Sequence, residues 1–343
     1  LVVSRKWNPE KEKFEVIANA ENIVDQKIND EPKQDNTYKP LESVTGQVFT
    51  GITEELVGFY NDKIAMSDCT NKGNVTGYMD IGGLLGTAYC NVQIDKCNNT
   101  GNITSSGYGK AGGLISQVKK QEVDNLVEIK NSVNEGDVLS VIDTNSSVYG
   151  SASGIIAHSY SNIKLSKCLN KGNITAINNS AVSGMIADLA GIAEIRECSN
   201  EGNLDGHSLT PTGYYSSIVV GGMVAKNIAI NITGYARTIE NNNIYIYDCI
   251  NTGNIDSDSH SGGMVAYMTG TNLVIENSVN KNNHIYTVRG DNAGMIGAAA
   301  VCNIDIVNCT TDNSKIGNEE EISNSTGFAG GILGTLTPYT PGS

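Results

Sequence analysis

A short word that returns along the chain constrains the fold more than any other feature. It reads CTNKGNV from Cys69 to Val75 and recurs in closely or loosely related form at spacings of 28 to 51 residues. The eight copies begin at Cys69, Cys97, Ser132, Cys168, Cys198, Cys249, Ser278 and Cys309. A self-similar unit of this length is typical of a solenoid in which each copy forms one turn.

Apolar residues alternate just before each copy of the word. Val92 and Ile94 lie five and three residues before Cys97, and the same offsets hold in the other copies. A period of two is typical of a β-strand with one buried face. A second short strand is predicted directly after the word, where Val75 and Ile103 stand.

A second repeated word predicts a third strand. It reads GGLLG from Gly82 and returns as GGLIS from Gly112 and as GGMVA from Gly221 and Gly262. Two small residues allow close backbone approach, and the apolar pair after them fills the interior. We therefore predict an all-β, single-stranded parallel β-helix of eight to nine coils of roughly 28–36 residues, with three short strands per coil. LVGFY from Leu56 is the candidate ninth copy, and the handedness stays open.

The first word also predicts ladders of identical side chains along the rod. Asn and Gly tolerate left-handed backbone angles, so the word is expected to form a tight corner. Stacked Asn amides can bond along the stack, as identical side chains do in cross-β assemblies. The predicted ladder residues are Cys69, Cys97, Cys168, Cys198, Cys249, Cys309, Asn71, Asn99, Asn134, Asn170, Asn200, Asn251 and Asn280.

The cysteines do not indicate a disulfide framework. Ser132 and Ser278 fill the Cys position in two copies, so that position calls for a small buried side chain. A bridge between Cys90 and Cys97, or between Cys302 and Cys309, stays open. Neither a CxxC pair nor a Cys/His zinc spacing occurs, so we predict no metal and no cofactor.

The repeats divide the chain into three regions. Residues 1–45 are charged and non-repetitive and contain the single tryptophan, so we expect an N-terminal cap or linker there. Residues 46–337 form the predicted β-helix, and residues 338–343 form a C-terminal tail. We expect flanking domains of a larger chain on either side.

Charge and hydropathy exclude two classes of partner. The 343-residue chain has a formal net charge of −14, and without a basic stripe we predict no nucleic-acid binding. No apolar run approaches the length of a membrane span, so we predict no membrane insertion.

The coupled words resemble GLUG-type repeats of bacterial surface and secreted proteins over about residues 56–336. Such repeats also occur upstream of the catalytic domain in immunoglobulin A metallopeptidases. The resemblance implies an extracellular β-solenoid at the cell surface or in secreted form. It does not imply peptidase activity, because the zinc signature HExxH is absent.

Four carboxylates are the candidates for chemistry. Asp80, Asp205, Asp256 and Asp258 follow the Gly of the first word and precede the second word, so they are expected to share a face. Paired carboxylates can act on glycosidic bonds. An acidic chain also carries solvated acids on every face, and we favour that interpretation.

Tyrosines are the candidates for binding. Tyr78, Tyr108 and Tyr149 stand four residues before the second word in successive copies, and Tyr214 and Tyr215 lie in a long insertion. A row of exposed rings suits stacking on sugars or anchoring a protein. The alternative is that these rings pack over the corners of the coils.

We therefore predict a non-enzymatic module that acts in adhesion, in ligand binding or as a rigid spacer. Its expected partner is a host or bacterial glycan or a surface protein. Two alternatives stay open: an accessory domain of a large immunoglobulin A-type metallopeptidase, and a β-helix lyase or hydrolase acting on polysaccharides.

Overall fold

The chain divides into two compact units, residues 1–61 and 62–343. The computed structural model describes residues 4–8, 13–18, 63–107, 109–119, 126–142, 150–178, 181–208, 218–228, 243–288, 290–300, 302–317 and 327–337. In the first unit, Ser4–Asn8 pairs antiparallel with Lys13–Ala18. The division at residue 61 lies downstream of the one predicted at 45. The candidate ninth copy and the predicted tail lie outside the described residues.

The second unit is a parallel β-helix of eight coils, which confirms the predicted fold class. Each coil contributes one strand to each of five eight-stranded sheets, and every strand pairing recorded within them is parallel. We number the sheets I to V in the order in which a coil passes through them, and the coils 1 to 8 along the chain.

Sheets I and II lie on either side of the Cys or Ser position. Sheet I contains Lys63–Ser67, Asn91–Asp95, Leu126–Lys130, Asn162–Ser166, Ala193–Arg196, Asn243–Tyr247, Asn272–Glu276 and Asn303–Val307. Sheet II contains Thr70–Asn71, Asn98–Asn99, Val133–Asn134, Leu169–Asn170, Ser199–Asn200, Ile250–Asn251, Val279–Lys281 and Thr310–Asp312.

Sheets III, IV and V complete each coil. Sheet III contains Val75–Gly77, Ile103–Gly107, Val138–Ile142, Ile174–Ile177, Leu204–His207, Ile255–Ser257, His284–Thr287 and Lys315–Ile316. Sheet IV contains Ile81–Gly82, Ala111–Gly112, Ser151–Ser153, Ala181–Ser183, Val219–Gly221, Ser261–Gly262, Asn292–Ala293 and Ala329–Gly330. Sheet V contains Leu85–Ala88, Ile115–Val118, Ile156–Ser159, Ile186–Leu189, Val224–Ile228, Val265–Thr269, Ile296–Ala300 and Leu333–Thr337.

Each coil thus has five short strands where the sequence predicted three. Sheets I and III are the predicted strands before and after the first word, and sheet II holds the two or three residues around its Asn. The predicted third strand is divided in two because the chain bends at the second small residue. In coil 1 the bend occupies Gly83 and Leu84, between Gly82 of sheet IV and Leu85 of sheet V.

Two apolar clusters fill the interior. The larger one includes Val92 and Ile94 of sheet I and Ile115 of sheet V. The smaller one includes Ile103 of sheet III and Ala111 of sheet IV. Each fully buried aliphatic side chain of this size contributes about 1.5–3 kcal/mol, so stacking these residues over eight coils supplies the main stabilisation.

A third cluster lies on the outer side of sheets IV and V. It joins Ala181 of sheet IV to Ala187 and neighbouring alanines of sheet V. The neighbouring residues in the same two strands belong to the interior clusters: Val182 follows Ala181, and Ile186 precedes Ala187. Ile186 and Leu189 of sheet V both face the interior, so Ala187 and the residue after it both lie on the outer side, where sheets IV and V meet at a concave angle. We call it the IV–V groove.

All eight cysteines are free thiols, so neither of the two bridges left open by the sequence forms. The Cys or Ser position instead makes a hydrogen-bonded ladder. Cys198 Sγ donates to the Arg196 carbonyl oxygen at 3.2 Å and accepts from the Cys168 N–H at 3.4 Å. Ser132 Oγ accepts in the same way from the Cys97 N–H at 3.1 Å. Cys and Ser are interchangeable at this position because each can donate and accept.

The Asn side chains of sheet II form a continuous amide ladder. Asn99 Nδ2 donates to Asn134 Oδ1 at 2.8 Å and to the Gly101 carbonyl oxygen of its own coil, also at 2.8 Å. The contact repeats from Asn71 through Asn280. A second, exposed ladder runs through the last Asn of the word: the Asn102 N–H donates to Asn74 Oδ1 at 2.9 Å.

The corner of the first word differs from the expected one. The left-handed residue of every coil is the one before the Cys or Ser, with φ between 47° and 56°. These residues are Asp68, Lys96, Asn131, Lys167, Glu197, Asp248, Asn277 and Asn308. The expected left-handed Asn–Gly corner is therefore wrong for coils 1 to 6, although the Asn at the Gly position of coils 7 and 8 is left-handed. In coils 2 to 6 the Gly is needed for close packing. A Cβ on Gly101 would overlap the Gly73 carbonyl oxygen of the previous coil.

The second glycine of the GG word packs against the Asn ladder. A Cβ on Gly184 would lie 2.5 Å from both Cγ and Oδ1 of Asn200 in the next coil. The same clash would arise between Gly113 and Asn134. The two repeated words are therefore coupled, because the Asn of the first word occupies the space in which a side chain on the glycine of the second word would lie.

Candidate functional site

One of the five predicted binding tyrosines lies in the described part of the chain. Tyr78 is 56% exposed, and its ring covers Gly107 of the next coil, where a Cβ would lie 2.5 Å from Tyr78 Cε2. Tyr78 therefore packs over a corner of the coil, which is the alternative that the sequence analysis left open. Tyr108, Tyr149, Tyr214 and Tyr215 lie outside the described residues, so the row of tyrosines stays a prediction.

Three of the four predicted carboxylates meet around a histidine. His207 Nε2 lies 2.8 Å from Asp205 Oδ1 and 3.6 Å from Asp256 Oδ2, and its Nδ1 lies 3.3 Å from Asp258 Oδ1. Burial alone would lower the pKa of His207, but these carboxylates outweigh it and the pKa is raised. The three carboxylates therefore surround an imidazole rather than face an open cleft.

The fourth carboxylate lies apart from them in coil 1. Asp80 Oδ1 is 3.7 Å from Lys110 Nζ and accepts a hydrogen bond from the Lys110 N–H at 3.3 Å. The structure therefore brings together three of the four carboxylates.

Polar side chains line the IV–V groove at one register position of sheet V. The position is held by Gln117, His158, Asp188 and Lys226 in coils 2 to 5. Tyr267 follows in coil 6 and packs against the outer alanine cluster. The row therefore faces the groove, in a sheet whose other face is apolar.

His158 and Asp188 form a largely buried pair in this row. His158 is 8% exposed, and its Nδ1 lies 3.5 Å from Asp188 Oδ2. Burial would raise the pKa of Asp188, but His158, and then Lys226 and Lys110, outweigh it and the pKa is lowered. The other ring nitrogen, Nε2, is buried without a hydrogen-bond partner. Such a group costs about 1–3 kcal/mol.

Two tyrosines and a lysine form a rim beside the groove. Tyr89, Lys119 and Tyr160 directly follow the sheet V strands of coils 1 to 3. Lys119 Nζ donates to Tyr89 Oη at 3.0 Å, and the Tyr160 and His158 ring centroids are 4.4 Å apart. Tyr89 is 49% exposed and Tyr160 is 38% exposed. The rim thus offers two accessible ring surfaces with an ammonium group between them.

The rim also shifts the pKa values of its own groups. The hydrogen bond to Tyr89 raises the pKa of Lys119. Burial, and then the charge of Asp188, raise the pKa of Tyr160. At neutral pH Lys119 is therefore a cation and the Tyr160 phenol is neutral. Within the described residues, no group of His, Cys, Asp and Glu side chains is placed to hold a metal ion.

A second aromatic pair lies on sheet I. The Tyr245 and Tyr247 rings are nearly parallel at 6°, with centroids 6.4 Å apart, and Arg196 Cζ lies 3.9 Å from the Tyr247 centroid. Arg196 also pairs with Glu194. The guanidinium covers one face of Tyr247, as Lys119 covers one face of Tyr89, so the pair on sheet I serves as the comparison for the rim.

The sequence reasoning missed the groove row and the rim. Both have a signal at a fixed offset: Gln117, His158 and Asp188 stand five residues after the first small residue of the second word. Tyr89, Lys119 and Tyr160 stand seven residues after it. Since coils stack in register, any fixed offset defines a row on the surface.

Comparisons of the chain with models of known families, with curated proteins and with solved structures found no match. The resemblance to GLUG-type repeats therefore stays a prediction. Among the residues that the structure describes, no helix is long and apolar enough to cross a membrane.

Proposed function

We propose that this solenoid is a non-enzymatic glycan-binding arm of a bacterial surface or secreted protein. The observation that carries the proposal is the rim of Tyr89, Lys119 and Tyr160 beside the buried His158–Asp188 pair. All five residues lie in coils 1 to 4, on one side of the rod.

The chemistry of the rim fits sugars. A sugar ring has apolar C–H faces that pack on an aromatic ring and hydroxyl groups at its edge that need polar partners. Neighbouring coils are about 4.8 Å apart, so Tyr89 and Tyr160, two coils apart, are separated by about 10 Å along the rod. An extended chain lying along the rod can contact both rings and Lys119.

Binding is favoured over catalysis by the burial of His158, whose imidazole is the kind of group that acts as a general base. His158 Nε2 has almost no exposed surface, so a substrate atom has no direct approach to it. Three of the four carboxylates that suggested glycoside hydrolysis are engaged with His207, and the fourth pairs with Lys110. Both arrangements support the non-enzymatic proposal.

The thiols are compatible with an extracellular location. Burial raises the pKa of Cys198 well above its ordinary value, and the hydrogen bond with Cys198, followed by burial, does the same for Cys249. Since the thiolate is the reactive form, these cysteines resist oxidation and disulfide exchange.

The test is binding to an array of host and bacterial glycans, with each retained glycan also analysed for cleavage. The double variant Tyr89→Ala/Tyr160→Ala is expected to lose retention, whereas Tyr245→Ala on sheet I keeps it. A Tyr78→Ala variant examines the row predicted from the sequence. Loss of retention with Tyr245→Ala but not with the double variant would contradict the proposed site, and shortened glycans would contradict the non-enzymatic role.

A rigid spacer is the second candidate, and the uninterrupted amide ladder from Asn71 to Asn280 favours it. A ladder of this kind ties each coil to the next and resists bending. An array without any retained glycan would support the spacer over the binding arm.

A further inference from the structure

Coil 8 keeps a glycine that no packing within the described residues requires. In coils 1 to 7, a Cβ on the glycine in the second place of the second word would overlap a carbonyl oxygen of the following coil, which for Gly294 belongs to Gly331. Gly331 holds the same place in coil 8, and a Cβ there would meet no atom within 4 Å. A glycine at this place therefore suits a coil that another coil follows.

Residues of the interior are exposed on the open side of coil 8. Ile332 and Leu336 hold the places that Met295 and Ala299 hold in coil 7. Met295 and Ala299 are buried, whereas Ile332 is 37% exposed and Leu336 is 49% exposed. Coil 8 therefore presents an apolar surface of the kind that a further coil covers.

The polar groups of coil 8 also favour a further coil of the same repeat. Thr311 holds the place of the ladder Asn, and its Oγ1 is buried without a hydrogen-bond partner. The edge strand Leu333–Thr337 carries neither a charge nor a proline. Charges and prolines are devices that protect a sheet edge from pairing with another strand, so this edge is open to pairing.

Coil 1 has the features that such an occupant needs. Up to coil 7, the ladder Asn of each coil donates to Oδ1 of the next, as Asn71 does to Asn99. Stacked after coil 8, Asn71 would offer its own Oδ1 to the hydroxyl of Thr311. Gly73 fits as well, because a Cβ there would meet only Asn71 Oδ1 at 3.8 Å within the described residues.

The charges of the two ends are complementary at one register position. Lys72 of coil 1 and Asp312 of coil 8 each follow the ladder position directly. At the same place in coils 3 and 4, Glu135 and Lys171 form an ion pair at 2.9 Å. Coil 1 of a second copy, stacked on coil 8, would therefore bring Lys72 beside Asp312.

An extra residue in the corner of coil 8 is compatible with this stacking. The first apolar residue of sheet III follows the ladder position by five residues in coils 7 and 8 and by four in coil 1. Coils 6 and 7 differ in the same way, and Ile255 of coil 6 nevertheless pairs with Ile285 of coil 7. Coil 1 can therefore follow coil 8 in register.

We infer that two copies of the chain associate head to tail, with coil 1 of one copy stacked on coil 8 of the other. The two surfaces differ, so the contact is heterologous and each new copy leaves one end open for the next. Each added copy lengthens the solenoid by eight coils, or about 40 Å. The association goes beyond the proposed glycan binding and does not rest on it.

The experiment is sedimentation velocity of the whole chain at low ionic strength, over about a hundred-fold range of concentration. We expect monomers in dilute solution and a growing series of dimers and longer species as the concentration rises. Gly331→Ala should leave denaturant unfolding of the dilute chain unchanged, because its Cβ meets no atom. It should weaken association at least about ten-fold, because the Cβ would overlap the incoming carbonyl group. Monomers at every concentration, or equal association by this variant, would overturn the inference.

Charge reversal tests which ends meet. Asp312→Lys and Lys72→Asp should each weaken association at least about three-fold, because each places like charges together. Glu201→Lys is the control, since Glu201 is exposed at the same place in coil 5 and lies away from both ends. It should leave association unchanged, and an equal loss with Glu201→Lys would mean that overall charge, not end stacking, controls the association.

Mixing the two end variants distinguishes head-to-tail stacking from other arrangements. The coil 8 end of the Asp312→Lys copy matches the coil 1 end of the Lys72→Asp copy, whereas the two remaining ends repel. The mixture should therefore regain dimers but not the longer series. Failure of the mixture to regain dimers would contradict the head-to-tail contact.

Discussion

At the scale of single residues, the Cys or Ser position illustrates how a repeat selects chemistry rather than size. Its side chain donates to the carbonyl two residues earlier and accepts an N–H from the previous coil, in Cys198 as in Ser132. An apolar residue of the same volume could fill the space but could not make either bond.

This ladder predicts that Ser replaces Cys better than Ala does. Cys198→Ser should retain most of the stability, because Ser132 and Ser278 already fill the position. Cys198→Ala leaves the Cys168 N–H without its acceptor and should lower the free energy of unfolding by about 1 kcal/mol more. Denaturant unfolding measures both variants. Cys90, half-buried and outside the ladder, is the control position, where Ser and Ala should be equivalent.

His207 predicts a pH dependence of stability. Its pKa is raised in the folded chain because Asp205, Asp256 and Asp258 outweigh its burial. A raised pKa contributes stability that is fully present below the unfolded value of about 6.5 and is lost as the pH rises through the folded value. The stability difference between the wild type and His207→Gln should therefore be largest at about pH 5–6, just below that unfolded value, and shrink above neutrality.

His260 provides the control with the opposite sign. Burial lowers its pKa, with Asp291 only partly offsetting the effect. Removing His260 should therefore relieve a cost at low pH instead of removing a contribution. Identical pH profiles for His207→Gln and His260→Gln would contradict both assignments.

At the scale of the element, neighbouring coils pack closely because the glycines of the two words lack a Cβ. In coils 2 to 6 a Cβ on the Gly of the first word would overlap a carbonyl group of the previous coil, and a Cβ on a second-word glycine such as Gly113 would overlap the Gly154 carbonyl oxygen of the next coil. The left-handed angle occurs elsewhere, at residues such as Lys96 and Lys167. The sequence predicted the left-handed angle at the Asn and Gly of the first word, because these are the usual residues at left-handed positions.

Gly73 and Gly101 separate the two explanations for glycine. They hold the same place in the word, but a Cβ on Gly73 would meet only Asn71 Oδ1 at 3.8 Å, whereas one on Gly101 would overlap the Gly73 carbonyl. We expect Gly101→Ala to lower the free energy of unfolding by about 1–3 kcal/mol through overpacking. Gly73→Ala should be neutral or stabilise by up to about 1 kcal/mol. Equal losses of unfolding free energy in the two variants would indicate instead that the glycine is needed for its backbone conformation.

At the scale of the whole molecule, the fold could be predicted from the sequence because each coil contains the same two sequence words. The eight copies, their register and the ladders follow from two words and a period of two. The five strands per coil could not be predicted, since two-residue strands such as Asn98–Asn99 have no periodicity. The groove site could not be predicted either, because it takes one residue from each coil, and His158 and Asp188 have no local pattern that joins them.

Stacking also predicts how stability varies along the rod. A central coil packs on two neighbours, whereas coil 8 packs on one within the described residues. In the sheet I strand of coil 5, Ala193–Arg196, every second residue is buried. In the corresponding strand of coil 8, Asn303–Val307, the residues at those positions are only partly buried. A Cβ added at Gly331 would meet no atom within 4 Å, while one at Gly294, which holds the same place in coil 7, would overlap the Gly331 carbonyl oxygen.

Hydrogen exchange measured by mass spectrometry can detect this gradient. Amides of Asn303–Val307 should exchange at least about ten-fold faster than those of Ala193–Arg196, equivalent to about 1.4 kcal/mol of opening free energy. The difference arises because opening coil 8 separates one interface and opening coil 5 separates two. Equal protection in coils 5 and 8 would mean either that the coils open as one cooperative unit or that another surface covers coil 8. Repeating the experiment with Gly101→Ala distinguishes these outcomes, since a single cooperative unit would lose protection equally in both coils.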